Sequence, residues 1–88
     1  MNRKDRIEAA LRQAFSPSLL HIADDSARHA GHAGASANGE THYSVEVTAD
    51  AFKGQSRVAR SRAVHELLAA EFSSGLHALS LKLRAPGE

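Results

Sequence analysis

The chain has 88 residues and carries 11 Lys and Arg against 10 Asp and Glu, which gives a formal net charge of +1. This length suits one domain, and the near-zero charge argues against a protein whose main activity is charge-driven binding of nucleic acid. Six His and no Cys are present, which excludes disulfides, zinc ribbons and any cluster held by the chain's own thiolates. No apolar stretch approaches the ~20 residues of a spanning helix, and no secretory signal is seen. We therefore expect a soluble, cytoplasmic protein.

The N-terminal half predicts one helix, one strand and a long loop. The helix ends at Ser16-Pro17, because a residue before Pro is disfavoured in the α region. A short apolar strand follows at residues 19–23, and a Gly- and Ala-rich loop occupies residues 26–41. Loops of this length are usually functional or disordered. The apolar side of the helix has Ile7, Ala10, Leu11, Ala14 and Phe15, and its other sides have Arg3, Lys4, Glu8 and Arg12.

The C-terminal half predicts strand, helix and strand. Residues 42–49 alternate between apolar and polar side chains, which is typical of a half-buried strand. A helical stripe follows, with Val58 in a turn before it, and Ser73-Ser74-Gly75 ends it. The last strand alternates through Leu79, Leu81 and Leu83 up to Pro86. The stripe consists of Val64, Leu67, Leu68 and Phe72.

This order predicts a single α+β domain over residues 1–88. The strand–helix–strand unit at the C-terminus should leave its two strands parallel, and the first two strands can pair antiparallel. A three-stranded mixed sheet with helices packed on one face buries every apolar stripe. No nucleophile elbow or phosphate-binding loop is present, so a binding protein is favoured over an enzyme.

The histidines give the sharper functional signal. His77 shares the parity of the leucines in the last strand, where a packed histidine is more common than a metal ligand. His29 and His32 lie in the long loop, but a histidine pair without Cys partners is a weak zinc pattern. The spacing of the other three histidines singles none of them out for a role.

A basic stretch gives the second signal. Lys53, Arg57, Arg60 and Arg62 fall within ten residues that contain no acid. Three interpretations are open for these side chains: a solvated face, contacts with nucleic-acid phosphates, or docking of an acidic or glutathione-bearing partner through arginine–carboxylate pairs.

Six short motifs occur in order along nearly the whole chain. They are the segments 24–34 (DDSARHAGHAG), 39–43 (GETHY), 52–54 (FKG), 60–62 (RSR), 75–81 (GLHALSL) and 85–88 (APGE). Together these motifs resemble the BolA family. This resemblance implies an α-β-β-α-α-β fold similar to the class II KH fold.

The resemblance also implies a partner and a cofactor. Family members bind monothiol glutaredoxins, and a [2Fe–2S] cluster is shared with the glutaredoxin and glutathione. By position the ligands of this chain are His77 and His29, with His32 as the competing loop ligand. Some members bind DNA and regulate transcription, which here would use Lys53, Arg57, Arg60 and Arg62. Alone, the protein is expected to be a monomer or weak homodimer without cofactor.

One position departs from the family pattern. The family usually has Arg-His-Arg where this chain has Arg60-Ser61-Arg62. Any role of the histidine in that family motif is therefore not carried over to this chain, whereas the two flanking arginines still match.

Overall fold

The computed structural model describes residues 2–25 and 41–88. The predicted loop at residues 26–41, with His29 and His32, lies outside the described residues except for Thr41. The first helix, α1, spans Arg3–Phe15, and the Asn2 side chain caps it by accepting a hydrogen bond from the Asp5 N–H. It ends where predicted, because Ser16 adopts a left-handed conformation and its N–H donates to the Arg12 carbonyl.

The strands form one three-stranded mixed sheet in the order β1-β2-β3. Their bounds are Leu19–Asp24 for β1, His42–Thr48 for β2 and Ala78–Arg84 for β3. The strands β1 and β2 pair antiparallel, and β2 and β3 pair parallel. The predicted pairing is confirmed, as is the α+β class.

Two short helices take the place of the single stripe in the sequence. Helix α2 spans Arg57–Leu67 and α3 spans Ala69–Ser73, in agreement with the order α-β-β-α-α-β. The chain leaves helical geometry at Leu68, which is nevertheless buried. Among the described residues, no helix is long and apolar enough to cross a membrane.

Two expectations about this helical region were wrong. Val58 lies inside α2 rather than in a turn before it, and its side chain is 64% exposed. Leu67 is 36% exposed rather than part of the core. The apolar residues that reach the core are spaced four apart: Val64, Leu68 and the half-buried Phe72. Leu67 lies at the side of this stripe.

The core lies between the sheet and the helices. On β2 the side chains of Tyr43, Val45 and Val47 are buried, and in the parallel register they lie beside the leucines of β3. Residues 44, 46 and 48 on the opposite parity are only half-buried, as expected for a sheet with one covered face. The helical side of the core adds the fully buried side chains of Ile7 and Leu11 from α1, Val64 from α2, and Leu68 between α2 and α3.

Arg3 is buried, contrary to its predicted place on a polar side of α1. Its guanidinium donates to the Glu71 carboxylate (2.8 Å), to the Ser74 hydroxyl (2.9 Å) and to the Ser74 carbonyl (3.1 Å). Glu71 also accepts from Arg6 Nε at 2.9 Å. A buried charge with these partners is a structural brace, which joins the start of α1 to the end of α3.

Candidate functional site

His77 is the best-placed candidate ligand. It lies one residue before β3, whereas the sequence predicts that it opens the strand, and its side chain is exposed. Its backbone N–H donates to the Thr41 carbonyl at 2.8 Å. The structure therefore presents the imidazole to solvent from an anchored backbone and does not bury it in the core.

The segment that leads into His77 is held tightly. Leu76 is 3% exposed and its N–H donates to the Glu71 carbonyl. Gly75 has φ +128°, and a Cβ built on it would lie 3.1 Å from Arg3 Nη2. Only glycine adopts such a conformation readily. The brace made by Arg3 thus sets the path of the chain just before His77.

A second imidazole lies next to His77. His42, the first residue of β2, has a ring centroid 5.3 Å from that of His77, and the rings are tilted by 52°. His42 is 9% exposed. Its Nδ1 lies 2.9 Å from Thr41 Oγ1, a hydrogen bond whose donor depends on the imidazole tautomer. The spacing of histidines did not reveal this pair, because the sequence predicted that β2 and β3 are parallel but not their register.

The predicted loop ligands belong to a segment whose two ends meet this site. Asp25 donates its N–H to the His42 carbonyl at 2.8 Å, and its carboxylate accepts from the Ser44 hydroxyl. At the other end the Thr41 carbonyl accepts from His77 N–H. His29 and His32 lie outside the described residues, and the four residues from Asp25 to His29 span at most ~14 Å.

The described residues do not complete a metal site. Within ranges 2–25 and 41–88, no group of three or more His, Cys, Asp or Glu side chains could hold a metal ion. A metal ion bound at His77 would need ligands from outside these described ranges.

The predicted basic stretch is divided by the structure. Lys53, Arg57 and Arg62 are exposed. Lys53 makes only a loose ion pair with Asp50 at 3.4 Å, in which both side chains are largely exposed. Lys53 precedes α2, Arg57 is its first residue and Arg62 lies in its second turn. Ser56 caps the helix by accepting from the Ala59 N–H. The exposed charges of the three cations are accessible to an anionic partner.

Arg60 is buried and already fully engaged. It donates to the Gln55 carbonyl (3.0 Å), to the Leu83 carbonyl (3.2 Å) and to both oxygens of the Glu88 carboxylate. The Arg60 guanidinium lowers the pKa of Glu88 to about 2, with help from the Ala85 N–H. The hydrogen bonds to Glu88 in turn raise the pKa of Arg60. In this structure Arg60 holds the turn after β3.

The sequence and the fold match one known family. The family model described as BolA-like protein matches residues 11–88. The solved BolA domain of SufE1 from Arabidopsis thaliana aligns with a TM-score of 0.88 and 41% identity, over 98% of this chain and 94% of that domain. The chain belongs to the BolA-like family.

Curated relatives agree with this assignment. The chain is 44% identical over 89 residues to an uncharacterized protein in the cobS 5′ region of a Sinorhizobium species, covering 100% of this chain and 96% of that protein. It is 42% identical to SufE-like protein 1 of Arabidopsis thaliana, covering 99% of this chain but only 24% of that protein. It is 40% identical over 78 residues to the DNA-binding transcriptional regulator BolA of Escherichia coli, covering 89% of this chain and 70% of the regulator.

Proposed function

We propose that this protein is a non-enzymatic adaptor that binds a monothiol glutaredoxin and shares a [2Fe–2S] cluster with it, in cluster trafficking or in iron or redox sensing. His77 is one ligand and His29 the other, with His32 as its competitor. The observation that carries the proposal is the exposed imidazole of His77, on an anchored backbone where the segment 26–40 begins and ends.

The donor set fits a shared cluster. The chain has no Cys, and its described residues bring only two imidazoles together at this point. The thiolates must therefore come from the partner and its glutathione. Histidine ligands on one iron raise the reduction potential relative to four thiolates. They also make ligation sensitive to acid, because an imidazole binds metal only when deprotonated.

The loop ligand can be identified by a side-by-side comparison. The protein is mixed with a cluster-loaded monothiol glutaredoxin, and visible circular dichroism is recorded for wild type, His29→Ala and His32→Ala. We expect a new spectrum with wild type and with His32→Ala, and its loss with His29→Ala. His21→Ala, which removes an exposed histidine from β1, is the matched control. An absence of spectral change with wild type overturns the proposal.

The alternative function is DNA-binding transcriptional regulation. It is supported by the name of the Escherichia coli relative and by the exposed side chains of Lys53, Arg57 and Arg62. Arg60 contributes less to this alternative, since its guanidinium is engaged within the fold.

Salt dependence of DNA affinity tests the alternative. Three phosphate contacts predict a slope of about −2.7 in log affinity against log salt concentration. The double variant Arg57→Ala, Arg62→Ala should make the slope shallower by about 2. As a control, the double variant Lys4→Ala, Arg12→Ala removes two exposed cations from α1 and should leave the slope unchanged. A slope near zero for wild type rejects DNA binding by this surface.

A further inference from the structure

Among the described residues, no strand is paired with the outer edge of β3. In the described part of the chain β3 is the last strand of the sheet, and β2 covers only its inner edge. An edge strand presents a row of backbone donors and acceptors that can pair with another strand. This edge is seven residues long, which is ample for one added strand.

The backbone groups that face outward can be assigned from the ladder. The Arg84 carbonyl accepts from the Ala49 N–H and the Ala78 N–H donates to the Thr41 carbonyl, so even-numbered residues of β3 face β2. Peptide groups of a strand point alternately to its two edges. The backbone groups of Leu79, Leu81 and Leu83 therefore face outward. The contact of Arg60 Nη1 with the Leu83 carbonyl, made from α2, agrees with this assignment. Because that carbonyl already accepts from Arg60, the pairing surface is centred on Leu79 and Leu81.

A groove runs along this edge. It has a volume of about 450 Å³ and lies between α2 and β3, with Arg57 and Ser61 on the helix side and Leu81 and Leu83 on the strand. Lys82 and Arg84 also line it and are exposed, on the parity opposite to the leucines. The Arg60–Glu88 pair closes one part of the wall. An incoming strand would thus meet cations on both sides and aliphatic surface at the centre.

The strand β2 shows which side chains suit β3. In the parallel register Val45, Glu46 and Val47 lie opposite Leu81, Lys82 and Leu83. Glu46 also accepts from Arg84 Nη1 at 3.4 Å. On the inner edge, the β2 segment that pairs with β3 therefore has the pattern apolar, acidic, apolar. The same β3 side chains also border the outer edge. Opposite charges on facing strands stabilise pairing, whereas like charges oppose it.

We propose that the outer edge of β3 binds an extended segment of a partner protein in which acidic residues alternate with apolar ones. The bound segment adds a fourth strand, with its acidic side chains on Lys82 and Arg84 and its apolar side chains over Leu81 and Leu83. Pairing of β3 with a second copy of itself is disfavoured, since Lys82 and Arg84 of the two copies would face each other. This site is separate from His77 and does not depend on a cluster.

A pair of synthetic peptides tests the proposal. A capped peptide of alternating Val and Glu is titrated into the ¹⁵N-labelled protein at physiological ionic strength, beside a matched peptide of alternating Val and Lys. We expect the Glu peptide to shift the amide signals of Leu79, Leu81 and Leu83 and to slow their hydrogen exchange. The Lys peptide should leave them unchanged. No binding of the Glu peptide, or equal binding of both peptides, overturns the proposal.

Charge reversal on β3 sharpens the test. Lys82→Glu with Arg84→Glu should weaken binding of the Glu peptide by about tenfold or more, because two cross-strand charge pairs are reversed. Lys53→Glu with Arg62→Glu changes the net charge equally but lies outside the groove, and should alter affinity less than about twofold. Equal losses from both variants would indicate non-specific attraction. Exchange protection at these amides that depends on protein concentration without peptide would indicate self-association. Either result contradicts the proposal.

Discussion

The two ends of β3 differ in how their ionisable side chains are used. At the exit of the strand, Arg60 and Glu88 satisfy each other and the surrounding carbonyls. At the entry, His77 has an anchored backbone but an exposed imidazole. The first arrangement holds the fold together, whereas the second leaves an imidazole exposed to solvent. Residue type alone would have suggested the reverse, because an arginine in a basic run looks like a binding residue.

The entry end of β3 also has a structural brace, which is formed by the hydrogen bonds of Arg3 close to the segment that leads into His77. Arg3 ties α1 to α3 just before the chain turns through Gly75 into β3. The comparison therefore separates groups that build the site, such as Arg3, from groups that are available to bind at it, such as His77. Substitutions can test whether this separation holds.

The largest effect on stability is expected for Arg3→Ala. This change removes charge-assisted hydrogen bonds to Glu71 and Ser74 together with the packing of a buried side chain, so it should lower the free energy of unfolding by about 2–3 kcal/mol. Arg12→Ala is the matched control, since its ion pair with Glu8 is solvent-exposed and is worth about 0.3–0.5 kcal/mol. Urea unfolding measures both. Similar losses for the two variants would contradict a brace at Arg3.

The next largest effect is expected for Gly75→Ala, which should lower the free energy of unfolding by about 1–3 kcal/mol because of backbone strain. The new Cβ would also crowd Arg3 Nη2. Gly54→Ala is the control, because Gly54 has φ +75° but a Cβ added there would meet no heavy atom within 4 Å. We expect Gly75→Ala to be the more destabilising of the two, and to shift the amide signal of His77. Equal costs would mean that the contact with Arg3 is unimportant.

A smaller effect is expected in acid. The pKa of Glu88 is lowered to about 2, and hydrogen bonds from Arg6, with Arg3 nearby, lower that of Glu71. Unfolding raises both pKa values, so the unfolded state binds more protons and stability falls as the pH drops from about 4.5 towards 2. Glu88→Gln should flatten this decline, because it removes up to about one of the protons that are taken up on unfolding. Unfolding curves between pH 7 and pH 2.5 give the slopes, and identical slopes would contradict the role of Glu88.

Much of the fold was predictable because local pattern and global packing agree. The alternation of Tyr43, Val45 and Val47 and the stop at Ser16-Pro17 are local signals that tertiary structure preserves. The break at Leu68 was missed by periodicity, since a side chain can stay on the buried stripe while the backbone leaves the helix. The resemblance to the family did include this break.

The site was less predictable than the fold. The sequence analysis named His77 as a candidate ligand, although its shared parity with the leucines of the last strand favoured a packed side chain. Alternation alone cannot show that the strand begins only at Ala78, after the histidine. The burial of Arg3 and Arg60 depends on Glu71 and Glu88, which are distant in sequence. No spacing rule pairs such residues, and only the assembled fold shows which cations remain exposed.

The central claim is tested most directly at His77. The His77→Ala variant is mixed with cluster-loaded monothiol glutaredoxin, and visible circular dichroism is recorded beside calorimetric binding of the cluster-free glutaredoxin. The account predicts that the spectrum of the shared cluster is lost, while His21→Ala retains it and the unfolding midpoint of His77→Ala stays close to wild type. An unchanged heterocomplex spectrum with His77→Ala would contradict the assignment of His77 as a ligand.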